Sequence, residues 1–275
     1  VSIGWFEAVV LGVVQGLTEF LPISSSAHLL IVSEFFGWPD PGAAFTAVSQ
    51  IGTEIAVLIY FRKDLLRIAT TWARSLRDAS LRSDIDARIG WYIIVGSIPI
   101  MILGLAFASV IETAARNLWL IAATMIGFGL VLGLVDRYGT KVKTLDQLGT
   151  KDALIFGFGQ ALALIPGVSR SGASISTGLA LGYSRAAAAR YSFLLAIPAI
   201  FASGLYEATK IGDDPNVSWG PTLLGTAVAL VIGYAVIAWF LRWVMTRSYA
   251  PFVIYRIVLG VLLLGLLSAG VLQSP

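Results

Sequence analysis

Polar residues interrupt this chain at intervals that leave six long apolar runs. They cover residues 44–61, 89–110, 118–135, 191–209, 221–241 and 252–272. At about 1.5 Å per residue, each is long enough to cross a hydrocarbon layer of about 30 Å, so the pattern predicts six membrane-spanning helices. Two further regions break the rhythm. Residues 7–37 read as an apolar stretch, the segment Leu21-Pro22-Ile23-Ser24-Ser25-Ser26-Ala27-His28, and a second short apolar stretch. Residues 152–182 do the same around Ile165-Pro166-Gly167-Val168-Ser169-Arg170-Ser171-Gly172-Ala173-Ser174. Apolar halves of roughly 10–15 residues are too short for full spans and fit re-entrant helix–loop–helix hairpins. Non-helical backbone at membrane depth needs protein or a water-filled cavity around it. Both loops are therefore expected inside the protein, facing a cavity.

The two broken regions resemble each other. A shift of 145 residues pairs Ala8 with Ala153, Gly12 with Gly157, Gln15 with Gln160, Leu17 with Leu162, Ser24 with Ser169 and Ser26 with Ser171. Each half of the chain is one hairpin followed by three spans. Three is odd, so the second half must be inverted relative to the first. The expected architecture is an all-α polytopic membrane protein in two inverted-topology repeats, residues 1–150 and 151–275, with a site at their interface.

Composition agrees with the membrane reading. The chain is 57% hydrophobic and 13% charged, where a soluble domain carries about 25% charge. Mean hydropathy is +0.84. A soluble globule and a disordered chain are both excluded. The first 20 residues hold no Lys or Arg, so no basic leader region is seen. The chain has no cysteine, which removes disulfides, thiolate metal sites and thiol nucleophiles. His28 is the single histidine, so mechanisms needing two imidazoles are excluded.

The distribution of charge sets an orientation. If the first hairpin enters from outside, the cytoplasmic loops hold Arg62, Lys63, Arg67, Arg74, Arg77, Arg82 and Arg88. They also hold Arg137, Lys141, Lys143, Lys151, Arg185, Arg190, Arg242 and Arg247. The outer segments hold only Arg116 and Lys210, while Arg170 and Arg256 fall within membrane segments. This asymmetry is what the positive-inside rule describes. Trp38, Trp91, Trp119, Trp219 and Trp243 fall near span ends, as an interfacial belt would. The loop at 62–88 carries both charge signs and reads as a solvated surface segment.

Gln15 and Glu19 are four residues apart and share a helix face. An ionisable residue at membrane depth is a functional candidate by default. Pro22 ends that helix. Three hydroxyls and the only imidazole then follow closely. A serine beside a base is the pattern of an activated nucleophile, and a histidine serves as acid, base or phosphate ligand. The competing account of the serine run is helix capping. In the second loop, Gly167 and Gly172 permit close backbone approach and positive φ. Backbone N–H groups at the following helix start favour an anion, and Arg170 adds a planar fork suited to phosphate. A structural ion pair of Arg170 with Glu19 or Glu54 is the alternative, and the two roles are compatible. Gln50 and Glu54, again four apart, either face the same cavity or form a polar helix contact. If the hairpin tips meet, the set fits phosphoryl transfer. All-oxygen ligands favour a hard cation, Mg²⁺ or Ca²⁺, over zinc.

At these residues the chain resembles the undecaprenyl-diphosphate phosphatases of the bacitracin-resistance type. The first motif reads Gln15-Gly16-Leu17-Thr18-Glu19 running into Pro22-Ile23-Ser24-Ser25-Ser26-Ala27-His28. The second reads Pro166-Gly167-Val168-Ser169-Arg170-Ser171-Gly172-Ala173-Ser174. The likeness extends over essentially the whole chain, including Phe193-Leu194-Leu195-Ala196-Ile197-Pro198. Gln15 stands where many members have Glu, and Ser174 where Thr is usual. The resemblance implies hydrolysis of undecaprenyl diphosphate to the monophosphate at the outer face of the bacterial cytoplasmic membrane. That recycles the carrier for peptidoglycan synthesis and confers bacitracin resistance. It implies a divalent cation at Gln15 and Glu19, and catalysis by Glu19, Ser25, His28 and Arg170. Ser25 is the candidate nucleophile with His28 as base or acid, and attack by His28 or water stays open. Ser24, Ser26, Ser169, Arg170, Ser171 and Ser174 would hold the diphosphate. The expected partners are the polyprenyl diphosphate and membrane lipids, with no nucleic acid and a homodimer left open. A transporter or flippase for the lipid phosphate is the alternative, since inverted repeats and broken helices are its marks too. An intramembrane Ser–His protease ranks low, because Arg170 and a metal-suited carboxylate do not help peptide cleavage.

Overall fold

The computed structural model describes residues 3–114, 117–211 and 218–272. Arg116 of the charge count lies outside the described residues, as does the side chain of Lys210. The helices are α1 Trp5–Thr18, α2 Ser25–Phe36, α3 Gly42–Tyr60, α4 Arg62–Ser75, α5 Ile85–Ala106, α6 Ala108–Ala114 and α7 Leu118–Tyr138. They continue as α8 Thr150–Ala161, α9 Arg170–Ala180, α10 Arg185–Ile211, α11 Trp219–Thr246 and α12 Ala250–Ser268. Five of them (α5, α7, α10, α11 and α12) are long and apolar enough to cross a membrane alone. The sixth candidate is α3, an apolar helix of 19 residues that bends by 77° into α4. The six runs expected from the hydropathy pattern are thus six helical elements.

The segments at 7–37 and 152–182 are broken helices. α1 has 14 residues, α2 and α8 have 12 each and α9 has 11, so none spans about 30 Å by itself. The 62–88 segment differs from its reading as a merely solvated loop. Most of it is helical, and α4 packs along α5 through the buried Ile68 and Ser75. Trp72 stacks edge-on against Trp91 at 5.5 Å.

Small residues set how the helices cross. α1 packs chiefly on α11, and α8 packs chiefly on α5. A Cβ on Gly12 would strike the carbonyl of Gly225, and one on Gly157 would strike that of Gly96. Backbones meet at both points, as small residues allow in membrane helix packing. α10 is the most enclosed span, with 56% of its window buried against 28% for α5 and α12. The largest apolar cluster gathers Phe20, Phe193, Phe240, Tyr249 and Phe252 beneath the first loop. Ion pairs join the loops on the basic side. Arg185 meets Asp136 at 2.5 Å and Arg190 meets Asp64 at 2.6 Å.

Candidate active site between two broken hairpins

Each hairpin breaks at a serine in a rare backbone conformation. Ser24 has φ 74° and Ser169 has φ 73°, and each is the N-cap of the helix that follows. Non-glycine residues seldom enter this region, and holding one there costs about 1–3 kcal/mol, a strain that gathers at functional sites. Capping is real at Ser169, whose Oγ accepts from the Gly172 N–H at 3.1 Å. It does not explain the first serine run, because the Ser24 side chain makes no cap hydrogen bond. Gly167 carries φ 83°, and a Cβ there would strike Thr124 and the Ile121 carbonyl.

Glu19 joins the two hairpins. Its Oε1 accepts from Arg170 Nη2 at 2.7 Å, across 151 residues of chain. Its Oε2 accepts from Ser25 Oγ at 2.5 Å and from Gln15 Nε2 at 2.8 Å. The carboxylate is 4% exposed and the guanidinium 16%. The ion pair weighed against substrate binding therefore exists. It leaves Arg170 Nη1 buried with no hydrogen-bond partner. The hydroxyl of Ser25 touches a carboxylate and not the imidazole.

His28 is engaged elsewhere. Its Nδ1 lies 2.6 Å from the Ser24 carbonyl, which can only accept, so Nδ1 carries the proton. Nε2 is hydrogen-bonded to the Tyr255 hydroxyl at 2.7 Å. The two rings stack at 5.5 Å. Tyr255 was not singled out from the sequence, where it is one aromatic residue in an apolar run.

Arg256, a charge within a membrane segment, has a structural task. It is fully buried. Its Nη1 donates to the carbonyls of Pro22 at 2.9 Å and Val168 at 3.0 Å. Nη2 donates to Gly167 at 3.0 Å, and Nε to Met125 of α7 at 3.1 Å. One side chain thus holds both loops. Its signal was in the sequence, since an ionisable residue at membrane depth demands a partner.

A cavity of about 540 Å³ opens onto these groups. Its polar wall holds Glu19, Ser24, Ser25, Ser26, Ser169 and Arg170, with Gln50 nearby. Its apolar wall, from α5, α6, α10 and the second loop, includes Met101, Leu105, Ile111, Leu164 and Ile200. The structure does not bring Ser171, Ser174 or His28 to this wall. Ser171 donates to the Leu21 carbonyl at 3.0 Å, bracing loop against loop. Ser174 donates to the Arg170 carbonyl at 2.8 Å and pairs with the Ser192 hydroxyl.

Among the buried side-chain oxygens without a hydrogen-bond partner are Gln15 Oε1 and both carboxylate oxygens of Glu54. Glu54 lies within charge–charge range of Arg170 and Glu19. Of the α3 pair, then, Gln50 faces the cavity and Glu54 is enclosed behind it. Among the described residues no three His, Cys, Asp or Glu side chains cluster as metal ligands. The unpartnered atoms of Gln15 and Glu54 are oxygens, which suit a hard divalent cation and not zinc.

Six helical elements fit to cross a bilayer, and two broken hairpins meeting at a buried carboxylate–arginine pair, define a multi-pass membrane protein with an enclosed polar site. The chain belongs to the BacA family: the model of bacitracin resistance protein BacA matches residues 8–262. It is 60% identical to the undecaprenyl-diphosphatase of Thermobifida fusca over 97% of this chain and 91% of that one. It is 58% identical to the undecaprenyl-diphosphatase of a Nocardioides species, over 99% of this chain and 100% of the relative. Identity to undecaprenyl-diphosphatase 2 of Agrobacterium fabrum is also 58%, over 99% of both chains. The resemblance read from the two motifs is the family the chain belongs to.

Proposed function

We propose that this protein hydrolyses undecaprenyl diphosphate to undecaprenyl phosphate and inorganic phosphate. One observation carries the reading. Ser25 Oγ and the Arg170 guanidinium share the Glu19 carboxylate and line one cavity, and Arg170 keeps a buried, unpartnered Nη1. A guanidinium that lines a cavity and has an N–H group without a protein acceptor favours an anionic ligand.

The terminal phosphate would sit between Arg170 and the hydroxyls of Ser24, Ser26 and Ser169. Phosphoryl transfer passes through a loose transition state, so positioning and charge stabilisation outweigh base strength. Glu19 orients the Ser25 hydroxyl, or a water in its place, toward phosphorus and takes its proton. The bond from phosphorus to the bridging oxygen breaks, and the lipid phosphate leaves. If Ser25 attacks, water then releases phosphate from it. His28, held by Ser24 and Tyr255, fixes the turn that presents Ser25. A divalent cation would be held by Gln15, Glu19 and Glu54, and it would neutralise charge building on the diphosphate oxygens. Ser171 and Ser174 support the loop and leave the substrate to their neighbours.

Further readings belong with this one. The halves 1–150 and 151–275 are taken as inverted repeats, supported by the paired serines and the reciprocal glycine crossings. The basic loops favour a site open to the outer face, where product would return to the carrier cycle of peptidoglycan synthesis. That would lower the supply of lipid diphosphate and so confer bacitracin resistance.

The test is phosphate release from undecaprenyl diphosphate by purified protein in detergent, with and without chelator. Native protein should release phosphate and lose at least about 100-fold of its rate on chelation. Ser25→Ala should fall by at least about 100-fold as well. No release from well-folded native protein across several divalent metals would overturn the reading.

A further inference from the structure

The helix that follows the first long span has a second apolar face with nothing of the protein against it. α4 turns away from α3 by 77° after a break at Phe61. Spans tilt by about 20° from the bilayer normal on average. A helix at 77° to a span therefore runs near the membrane plane. One face of α4, through Ile68 and Ser75, is buried on α5. On another face Leu66, Ala69, Ala73 and Leu76 recur at i, i+3, i+7 and i+10, which is a single helical stripe. All four are exposed, Leu66 at 66% and Leu76 at 50%.

Positive charge edges this stripe. Arg62, Lys63, Arg74 and Arg77 are exposed. None has a carboxylate within ion-pair distance among the described residues. Of the nearby acids, Asp64 pairs with Arg67 and Arg190 and Asp86 with Arg67. Asp78, which accepts from Ser80, keeps its charge, yet residues 62–88 carry seven basic against four acidic side chains and stay net positive. An exposed apolar stripe flanked by unneutralised basic residues is the pattern of a helix lying at a membrane surface.

We propose that α4 lies in the headgroup layer and binds anionic phospholipid, with Lys63, Arg74 and Arg77 on the phosphates and Leu66, Ala69, Ala73 and Leu76 among the first acyl carbons. The occupant is the lipid of the surrounding membrane. The span that feeds α4 puts it at bilayer depth, and the uncompensated cations select a headgroup of net negative charge. The inference stands on the elbow and the stripe, and it is independent of the phosphatase reading.

The full chain would be reconstituted with spin-labelled phosphatidylglycerol or phosphatidylcholine, and the motionally restricted fraction measured. Wild-type protein should hold phosphatidylglycerol over phosphatidylcholine by about threefold or more at low salt, with the preference falling as salt screens it. The triple variant Lys63→Gln, Arg74→Gln, Arg77→Gln should bring the ratio close to one. A control, Arg137→Gln with Arg247→Gln, removes basic residues elsewhere and should keep the preference. All five residues are exposed, so thermal unfolding should be unchanged, and Arg77→Gln alone gives a milder version with a partial loss. The proposal is overturned if wild type shows no preference, if the triple variant keeps it, or if the control loses as much. A wild-type chain without preference that cross-links to a second copy through α4 overturns it in favour of a protein partner.

Discussion

Arg170 answers to two demands at once. One amino group of its fork is held by Glu19, the other is buried without a hydrogen-bond partner, and the residue lines the cavity. Arg170→Ala should therefore cost roughly 1,000-fold in kcat/KM for phosphate release, since on the proposed mechanism it removes a charge that stabilises the transition state. Arg170→Lys tests the shape of the group. A lysine ammonium is a point charge and cannot meet Glu19 and a phosphate along two fixed directions. Its kcat/KM should stay roughly 100-fold below wild type by the same assay, despite the retained charge. Glu19, Ser25 and Arg170 were legible in the sequence because charge and hydroxyls at membrane depth are costly without a purpose. The pairing of Ser25 with His28 was not. Proximity along the chain suggested it, but the turn at Ser24 sends the hydroxyl to Glu19 and the imidazole to Tyr255, 227 residues away. No local pattern contains a partner at that distance.

Among the elements, the loops depend on α12. Arg256 satisfies carbonyls of both hairpins and of α7, and among the described residues no carboxylate lies within ion-pair distance of it. Arg256→Leu would leave those carbonyls buried and unpaired, at a cost of at least about 3 kcal/mol. Thermal unfolding in detergent should show this as a marked fall in midpoint, with the remaining folded fraction inactive. Arg256→Lys, with fewer donors, should lie between. The crossings give a second expectation. Gly12→Leu forces α1 away from α11 at a backbone contact, so the yield of monodisperse protein by size exclusion should collapse. The spans themselves were legible from hydropathy, and the hairpins from their short halves. The role of Arg256 was not, because its acceptors are backbone carbonyls that every residue carries, and a sequence does not mark which are free. The helical form of 62–75 was missed for a related reason. Its mixed charges matched a solvated loop, while the second apolar stripe showed only at helical spacing.

On the scale of the whole molecule, a polar site is joined to an apolar wall. The cavity runs from Glu19 and Arg170 to Met101, Leu105 and Ile111, which suits a ligand with a charged head and a hydrocarbon tail. Gly104 lies on that wall, and a Cβ there has its nearest neighbour, Leu164, at 3.6 Å. Gly104→Leu should fold normally and fill the tail's path. Its KM for the lipid diphosphate should rise about tenfold with kcat little changed, the loss expected for a few methylene contacts. Steady-state kinetics in mixed micelles would check it. The grip of Arg256 on both loops has a consequence for the order in which the molecule is made. A ribosome delivers the first loop more than 230 residues before the side chain that secures its Pro22 carbonyl. Until α12 has entered the membrane, the hairpins have their bonds to each other but not those from Arg256 to the Pro22, Gly167 and Val168 carbonyls. The nascent chain therefore crosses most of its synthesis with spans in place and no finished site, and activity arrives in a single late step. A ribosome stalled before the codon for Arg256 should leave a membrane-inserted but inert protein.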